Sequence, residues 1–304
     1  MPVEAVVAPP AASGTTPGTA PGALFAAIGR RPWNSRRHAL PAWHRRYPTM
    51  LTREEMRMLA WLAEHVAAPG AIVDLGCFLG GSTVSLAWGA ARNPSPRRIW
   101  SYDRFAIDER HKVRYLYQHG HGFHPGTDAR PLFDRFTRGF AAAITAVKGD
   151  ILAQGWEAGP IALLFIDLSK TLEINDHILQ AFFGALVPGS LVVQQDFLFF
   201  RNPWLYPTMH RLEAAMPMLG HTEDHAVIFG VRRTPSPEEI ARCLSRNLTP
   251  EATLAAIAHF RARFPEVRQA EMIDALEAAF RARPDAARAW DLANVAGLPA
   301  ADED

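Results

Sequence analysis

The residues best suited to bind a ligand follow an apolar stretch, Ala71–Leu75, and read DLGCFLGGST from Asp74 to Thr83. Glycines let the backbone turn sharply and approach a ligand without interference from a Cβ atom. The helix predicted to begin after them presents free N–H groups and the positive end of its dipole, which suit a carboxylate or a phosphate. Asp74 can accept hydrogen bonds from an ammonium group. The turn therefore predicts a ligand that carries both charges, as an amino acid does, with a purely structural glycine turn as the alternative.

Four more acidic residues end apolar stretches further along the chain, in IWSYD, VKGD, LLFID and VVQQD, and they are Asp103, Asp150, Asp167 and Asp196. An acid at the end of the second strand of such a sheet commonly binds the two hydroxyls of a ribose. Asp103 ends the second strand predicted here, so we assign that role to it. Asp150 is placed to accept from an adenine amino group, with Ile151 against the ring; a plain helix cap is its alternative. Because ligands of open α/β sheets bind at the carboxyl ends of the strands, the five acids predict a single site.

The elements that must position these acids are short apolar strands separated by longer segments of helical pattern. The predicted strands are Ala71–Leu75, Arg98–Tyr102, Ile144–Lys148, Ile161–Ile166 and Leu191–Gln195. The predicted helices among them are Ser82–Ala91, residues 129–142 and Glu173–Leu186. This alternation, with strands apolar on both faces, is typical of a doubly wound, mostly parallel sheet covered by helices on both sides. Pro188-Gly189 predicts a tight turn into the last strand.

Beyond these strands the pattern predicts a helix near Pro207–Met218, then extended pieces at Leu219–Thr222 and Ala226–Arg232 that form a closing hairpin. Proline at helix starts and a composition rich in alanine, arginine and glutamate predict a helical C-terminal extension over 234–304. The α/β domain is assigned to 52–233, where a capping box at Thr52 begins its first helix.

Two segments precede that domain. Residues 1–21 contain little that can be buried and are predicted to be a disordered tail. Residues 22–51 are rich in arginine and lack acids, which favours a solvated basic linker, a cover for the site, or a contact with an anionic substrate or partner.

Composition limits the classes of function. A net charge of +1 gives no support for nucleic-acid binding. Two distant cysteines exclude a disulfide framework and suit a reducing compartment. No apolar run is long enough to cross a bilayer. We therefore expect a soluble cytoplasmic protein without a membrane or nucleic-acid partner, and the sequence leaves homo-oligomerisation open.

A dinucleotide-binding domain is the closest competitor, and its fingerprint is G-x-G-x-x-G. This chain has Gly76, Gly80 and Gly81, with Phe78 in place of the glycine that lets the backbone approach a pyrophosphate. That bulky side chain argues against a dinucleotide. An aromatic ring near the ligand is compatible with a sulfonium, whose positive charge is attracted to a ring face.

The order DLGCFLGGST, YD, GD, FID and VPGSLVVQQD resembles the class I S-adenosylmethionine-dependent methyltransferases, nearest the branch of macrocin O-methyltransferases and cephalosporin hydroxylase-like proteins. The resemblance covers roughly 52–232. It implies a Rossmann-like methyltransferase fold, S-adenosylmethionine as cofactor and methyl transfer to a hydroxyl of a sugar or small natural product. The residues it implies for the cofactor are Asp74, Gly76, Phe78, Gly80, Gly81, Ser82, Asp103, Asp150 and Ile151.

The acceptor end departs from that branch, in which the fourth strand ends Asp-Gly-Asp-His and the fifth in an Asp pair that helps to hold a divalent metal. Here the fourth strand is followed by Asp167-Leu168-Ser169-Lys170 and the fifth by Gln195-Asp196. Asp167 and Asp196 leave Mg²⁺ binding open. Lys170 stands where a base is expected, either as a neutral amine beside the sulfonium, as an anchor for a substrate anion, or as a solvated side chain.

Asp167, Lys170 and Asp196 are therefore the expected catalytic residues. Trp204, Tyr206 and His210 follow the fifth strand, where side chains shape an acceptor pocket or fill the core. Two other functions stay open, which are an NAD-type oxidoreductase on a variant Rossmann turn and a non-catalytic protein of the methyltransferase fold.

Overall fold

A computed structural model describes residues 21–292 except 46, 96 and 200. Its described residues form one seven-stranded sheet with the strand order β3-β2-β1-β4-β5-β7-β6. The first five strands pair in parallel, and β7 runs antiparallel to both β5 and β6. The strands are β1 Ala71–Leu75, β2 Ile99–Asp103, β3 Ile144–Lys148, β4 Ile161–Ile166, β5 Leu186–Gln194, β6 Met218–His221 and β7 Val227–Gly230. The expected doubly wound, mostly parallel sheet with a closing hairpin is confirmed.

Helices connect the strands and extend beyond them. The helices are α1 Pro21–Ile28, α2 Arg53–His65, α3 Gly81–Ala90, α4 Glu109–Lys112, α5 Arg130–Phe136, α6 Leu172–Phe182, α7 Leu205–Arg211, α8 Pro237–Cys243, α9 Pro250–Arg261 and α10 Val267–Ala282. A π-helical turn, Val113–Tyr117, follows α4. The 3₁₀ turns are Pro32–Asn34, Arg36–His38, Ala42–Arg45, Arg138–Ala143, Ile151–Ala153, Phe183–Ala185, Ser245–Asn247 and Ala289–Leu292.

Alternating strand residues divide the core into two layers. Ile72 and Phe165 belong to the core on one face of the sheet, with α2, α3 and α5. Val73 and Leu164 belong to the core on the opposite face, with α6, α7 and the C-terminal helices. Side chains in a strand point to opposite faces in turn, so strands that are apolar at every position require helices on both sides.

The last parallel strand differs from expectation, because Pro188-Gly189 lies inside β5 rather than in a turn before it. Ile161 pairs with Leu186 and Leu163 with Leu191, so the residues in between bulge out of the ladder. Gly189 makes the bulge possible with a φ of 90°, a value that disfavours other residues.

Two helices are shorter than expected. The helix expected over 129–142 ends at Phe136 and continues as a 3₁₀ turn, Arg138–Ala143. Thr137 separates the two, and its hydroxyl donates to the carbonyl of Phe133 (2.8 Å), which competes with continuation of the helix. The helix expected near Pro207–Met218 is α7, Leu205–Arg211.

The arginine-rich N-terminal segment is folded against the domain and is not a solvated linker. Trp33 is fully buried, and its indole Nε1 donates to Glu54 Oε1 at 3.0 Å. The other carboxylate oxygen of Glu54 accepts from the backbone N–H of Glu223 in the hairpin turn (2.8 Å). The expected tail, 1–21, lies outside the described residues except for Pro21, which begins α1.

The C-terminal extension packs on the face of the sheet that carries α6 and α7. Phe260 of α9 is fully buried there, 4.9 Å from the ring of Phe197 between centroids. The described part of the extension ends at Leu292, and the rest, 293–304, lies outside the described residues. Among the described helices, none has the length and apolarity needed to span a membrane.

Gly89 offers a test of the packing between α2 and α3. A Cβ atom built there would lie 1.9 Å from the carbonyl oxygen of Ala60. Although alanine normally stabilises a helix relative to glycine, we expect Gly89→Ala to lower the free energy of unfolding by about 1–3 kcal/mol in urea titrations. Gly184→Ala is the control, since a Cβ there meets nothing within 4 Å. Equal unfolding midpoints for the two variants would contradict this packing.

Candidate functional site

A cleft of about 510 Å³ lies at the carboxyl ends of β1–β4. Of the residues expected to act on a ligand, it is lined by Gly76, Phe78, Asp103, Asp150, Ile151, Asp167 and Lys170. Asp74, Gly80, Gly81, Ser82 and Asp196 do not line this cleft. The volume lies in the range of small-molecule sites, and apolar walls with a few polar groups are typical of them.

The turn after β1 is held by its own N–H groups. The backbone N–H of Gly76 donates to the carbonyl of Tyr102 (2.9 Å), and that of Phe78 donates to Asp103 Oδ2 (2.8 Å). Phe78 has a φ of 45°, an uncommon value for a residue with a side chain. Its ring packs edge-on against Tyr115, with centroids 5.5 Å apart. The conformation of the turn is therefore stabilised by Tyr102 and Asp103 at the end of β2 as well as by the glycines of the turn.

Gly80 and Gly81 face the N-terminal segment. A Cβ atom on Gly81 would lie 2.2 Å from Thr49 Oγ1, and one on Gly80 would lie 3.1 Å from the hydroxyl of Tyr47. The hydroxyl of Tyr47 donates to the carbonyl of Leu79 (3.3 Å). The structure thus explains these glycines by close packing at the start of α3, and contact of Gly80, Gly81 or Ser82 with a ligand stays a prediction.

Asp74 is fully buried behind the turn. Its Oδ2 accepts hydrogen bonds from Ser82 Oγ (2.9 Å) and Thr83 Oγ1 (2.5 Å). Its Oδ1 is buried and has no hydrogen-bond partner among the described residues. Burial raises the pKa of Asp74 to about 7, against the opposing effect of the two hydroxyls. The orphan oxygen leaves Asp74 able to accept from an ammonium, and that role also stays a prediction.

Asp103 closes the loop at the middle of the cleft. Its two oxygens accept from the backbone N–H groups of Phe105 (2.6 Å) and Phe78 (2.8 Å). Burial raises its pKa, although these two hydrogen bonds act in the opposite direction. Carboxylate oxygens have further lone pairs, so Asp103 can still accept from hydroxyls of a ligand.

Asp150 is the cap of the turn Ile151–Ala153, the alternative that the sequence left open. Its Oδ1 accepts from the backbone N–H of Leu152 (3.1 Å), and its Oδ2 accepts from Arg104 Nη2 (2.6 Å). These hydrogen bonds lower its pKa, the one from Leu152 having the largest effect. Ile151 is buried at the wall of the cleft, and its contact with a base stays a prediction.

A lysine lies between two carboxylates at the far end of the cleft. Lys170 Nζ is 3.4 Å from Asp167 Oδ1 and also contacts Asp196 Oδ2. Burial raises the pKa of Asp167 well above its usual range, and the Lys170 charge opposes this shift. The ammonium thus takes the place between the carboxylates that a divalent cation would need, so this set of residues does not fit Mg²⁺.

Glu55 does not line the cleft, but it contacts Gln195, which precedes Asp196, and the sequence predicted no such contact. It is 1% exposed, and its Oε1 accepts from Gln195 Nε2 at 2.8 Å. Its Oε2 accepts from the backbone N–H of Thr52 (2.8 Å), as expected for a capping box. Burial raises its pKa. The only signal in the sequence was the capping box itself, which gave no indication of contact with Gln195.

The rim of the cleft contains two exposed apolar residues from the flanks of the domain. Met50 precedes α2 and Trp290 lies in the 3₁₀ turn Ala289–Leu292, and both line the cleft. They are 42% and 52% exposed, respectively. Neither was singled out in the sequence, because nothing local shows that both flanks reach the same opening.

The aromatic residues after β5 do not reach this cleft. Trp204 and Tyr206 are buried in the core. The ring of His210 packs tilted against that of His259 of α9, with ring centroids 4.3 Å apart. With Glu213 they form the one histidine–acid group with metal-ligand distances among the described residues. The carboxylate of Glu213 is already shared by His259 (2.9 Å) and Arg263.

The chain is similar to solved structures of other proteins. No protein-family model matches the sequence, and no curated protein does. The O-methyltransferase NovP is 17% identical over 61% of this chain and 82% of its own, with a TM-score of 0.47. Calicheamicin methyltransferase CalS11 is 19% identical over 70% and 93%, with a TM-score of 0.42. The S-adenosylhomocysteine-bound methyltransferase PaMTH1 of Podospora anserina is 15% identical over 66% and 85%, with a TM-score of 0.41.

The buried Asp74 makes stability depend on pH. Its carboxyl has a pKa of about 7 in the folded protein against 3.8 as the ordinary value. Between these values the folded state keeps a proton that the unfolded state has lost, so stability falls as pH rises from about 4 to about 7. Asp74→Asn should flatten this slope in urea titrations at pH 5, 6, 7 and 8, whereas the exposed Asp285→Asn should leave it unchanged. If the free energy of unfolding depends on pH in the same way in the wild type and in Asp74→Asn, the raised pKa of Asp74 is wrong.

Proposed function

We propose that this protein transfers a methyl group from S-adenosylmethionine to a hydroxyl of a small molecule. The observation that carries the proposal is the combination within one cleft of a carboxylate at the end of β2, Asp103, and the acid–lysine group of Asp167 and Lys170. These groups lie at the carboxyl ends of parallel strands, where ligands bind in open α/β sheets. One end is suited to hold a nucleoside and the other to act on a polar group.

The residues present fit S-adenosylmethionine. Asp103 would accept from the ribose hydroxyls, and Ile151 and Leu152 offer apolar surface to the base. Phe78 lines the same cleft and would lie near the sulfonium, which an aromatic face attracts. Asp74 is fully buried behind the turn and does not line the cleft, so its expected contact with the ammonium of the methionine part gains no support from the structure. When bound, the cofactor supplies a methyl group on positively charged sulfur.

The acid–lysine group would then bind the acceptor and take its proton. Asp167 and Lys170 would hold the acceptor oxygen for transfer of the methyl group, and the electron pair of the broken carbon–sulfur bond would stay on sulfur. The hydroxyl proton passes to the carboxylate of Asp167, because burial raises the pKa of that carboxyl and so makes it a stronger base. Lys170 holds Asp167 and Asp196 in place and offsets their negative charge. Holding the oxygen at attack distance supplies much of the acceleration.

The geometry of the turn favours this cofactor over a dinucleotide. The N–H groups of Gly76, Phe78 and Gly80 donate to acceptors of the protein itself. Tyr47 and Thr49 pack against the start of α3, where a pyrophosphate would otherwise be bound. A sugar or other small hydroxylated natural product is the acceptor class that we propose, because an open cleft of this size admits small molecules.

Cofactor choice is tested by calorimetric titration with S-adenosylmethionine, S-adenosylhomocysteine and NAD. We expect the two sulfur ligands to bind and NAD to give no heat. Asp103→Asn should weaken S-adenosylhomocysteine binding about tenfold or more, since hydrogen bonds to a charged group contribute about 1.5–3 kcal/mol. Circular dichroism checks that the variant is folded, because Asp103 also holds the turn. Binding of NAD alone would overturn the proposal in favour of an oxidoreductase.

The acceptor end is tested by kinetics once an acceptor is found by following S-adenosylhomocysteine formation with a panel of sugar nucleotides and phenols. Asp167→Asn should lower kcat by about 10²–10⁴-fold, the usual contribution of a positioned base. Lys170→Met should also lower kcat, and Lys170→Arg, which keeps the charge, should lower it less. None of these three variants should change the affinity for S-adenosylhomocysteine by more than about threefold.

The proposed reaction should not require a divalent metal. Because Lys170 occupies the place between Asp167 and Asp196, we expect EDTA to leave kcat unchanged and added Mg²⁺ to have no effect. Loss of activity in EDTA that Mg²⁺ restores would show that the lysine moves aside for a metal.

A further inference from the structure

The end of the C-terminal extension is attached to the chain directly after β4. We call residues 287–292 the C-terminal strap. The backbone N–H of Leu172 donates to the carbonyl of Ala287 (2.9 Å), and the N–H of Ala289 donates to the carbonyl of Lys170 (2.8 Å). Thr171 and Arg288 form an antiparallel bridge between these two hydrogen bonds. The strap therefore pairs in an extended, antiparallel manner with the chain next to Lys170, the residue that contacts both Asp167 and Asp196.

Trp290 projects from this strap into the rim of the cleft while its neighbours fix the strap. Ala289 and Leu292 are buried on either side of it. The guanidinium of Arg288 lies 5.5 Å from the centroid of the Trp290 ring, and Asp291 holds that guanidinium (Nη2 to Oδ1, 2.8 Å). The indole is half exposed and lines the cleft, so a ligand in the cleft can contact it.

The strap lies near the turn Ile151–Ala153 as well as near Lys170. A second groove, adjacent to the cleft, is lined by Ala287, Arg288 and Leu152. Leu152 also lines the cleft itself, together with Trp290. The strap therefore runs beside the turn Ile151–Ala153, which is the end assigned to the base of the nucleoside.

We propose that Trp290 stacks on the purine ring of the bound cofactor, so that the C-terminal extension forms part of the ligand site. The inference rests on the proposed function, because it requires a purine in the cleft. Ile151 and Leu152 provide apolar contacts to the base, and Trp290 adds an aromatic face from outside the sheet domain. Stacking of a base on an aromatic side chain contributes enough to change affinity by about tenfold.

The experiment measures S-adenosylhomocysteine binding by calorimetry to the full-length protein and to Trp290→Ala, Trp290→Phe and Val267→Ala. We expect the dissociation constant to rise about tenfold in Trp290→Ala and less than about threefold in Trp290→Phe, which retains a ring. Val267, exposed in the same extension, is the control and should leave it unchanged. Thermal unfolding of each variant shows whether the extension stays folded.

Fluorescence provides a readout that a merely structural role would not change. Adenosine and S-adenosylhomocysteine should change the tryptophan emission of the wild type, methionine should not, and the change should be mostly lost in Trp290→Phe. Unchanged affinity in Trp290→Ala would overturn the proposal, and a raised KM for the acceptor alone would assign the ring to the acceptor instead. A wild type that binds no S-adenosylhomocysteine would refute the proposed function itself, which is a distinguishable result.

Discussion

The close approach of Gly76 to the carbonyl group of Asp167 is the constraint on which the site depends. A Cβ atom at Gly76 would lie 2.7 Å from that carbonyl oxygen, and the backbone there has a φ of 93° that favours glycine. This contact joins the ends of β1 and β4, so it sets how far the glycine turn lies from the acid–lysine group. The glycine turn and the acid–lysine group are therefore packed directly together, and a larger residue at Gly76 would separate them.

The site also concentrates acids that water does not fully reach. Burial raises the pKa of Glu55, Asp74, Asp103 and Asp167 alike. Such groups oppose folding when they are charged, and the protein offsets this with hydroxyl and backbone donors and with Lys170. A cationic ligand would add to the compensation. A site with this electrostatic character is suited to bind a ligand with positive charge, in agreement with the proposed cofactor.

The sheet could be predicted closely from the sequence, because its strands are local apolar runs and each ends at a recognisable residue. The bounds of β1, β3 and β4 agree with the expectation. The site could be predicted only in part. Asp103 ends β2, Asp167 and Lys170 follow β4, and all three line the cleft as their places in the sequence predict, whereas Trp290 reaches the cleft from a distant segment and Glu55 contacts Gln195 from another. Long-range packing decides such contacts, and no local pattern in one sequence records them.

The flanks give the cleft its mouth. Met50 comes from before the sheet domain and Trp290 from after it, yet both stand at the same opening. The sheet and its acids belong to the segment between them. The entrance of the cleft and its acidic residues therefore come from separate stretches of chain. Exchange of the flanks during evolution would alter which molecules can enter, while the chemistry at the strand ends stayed as it is.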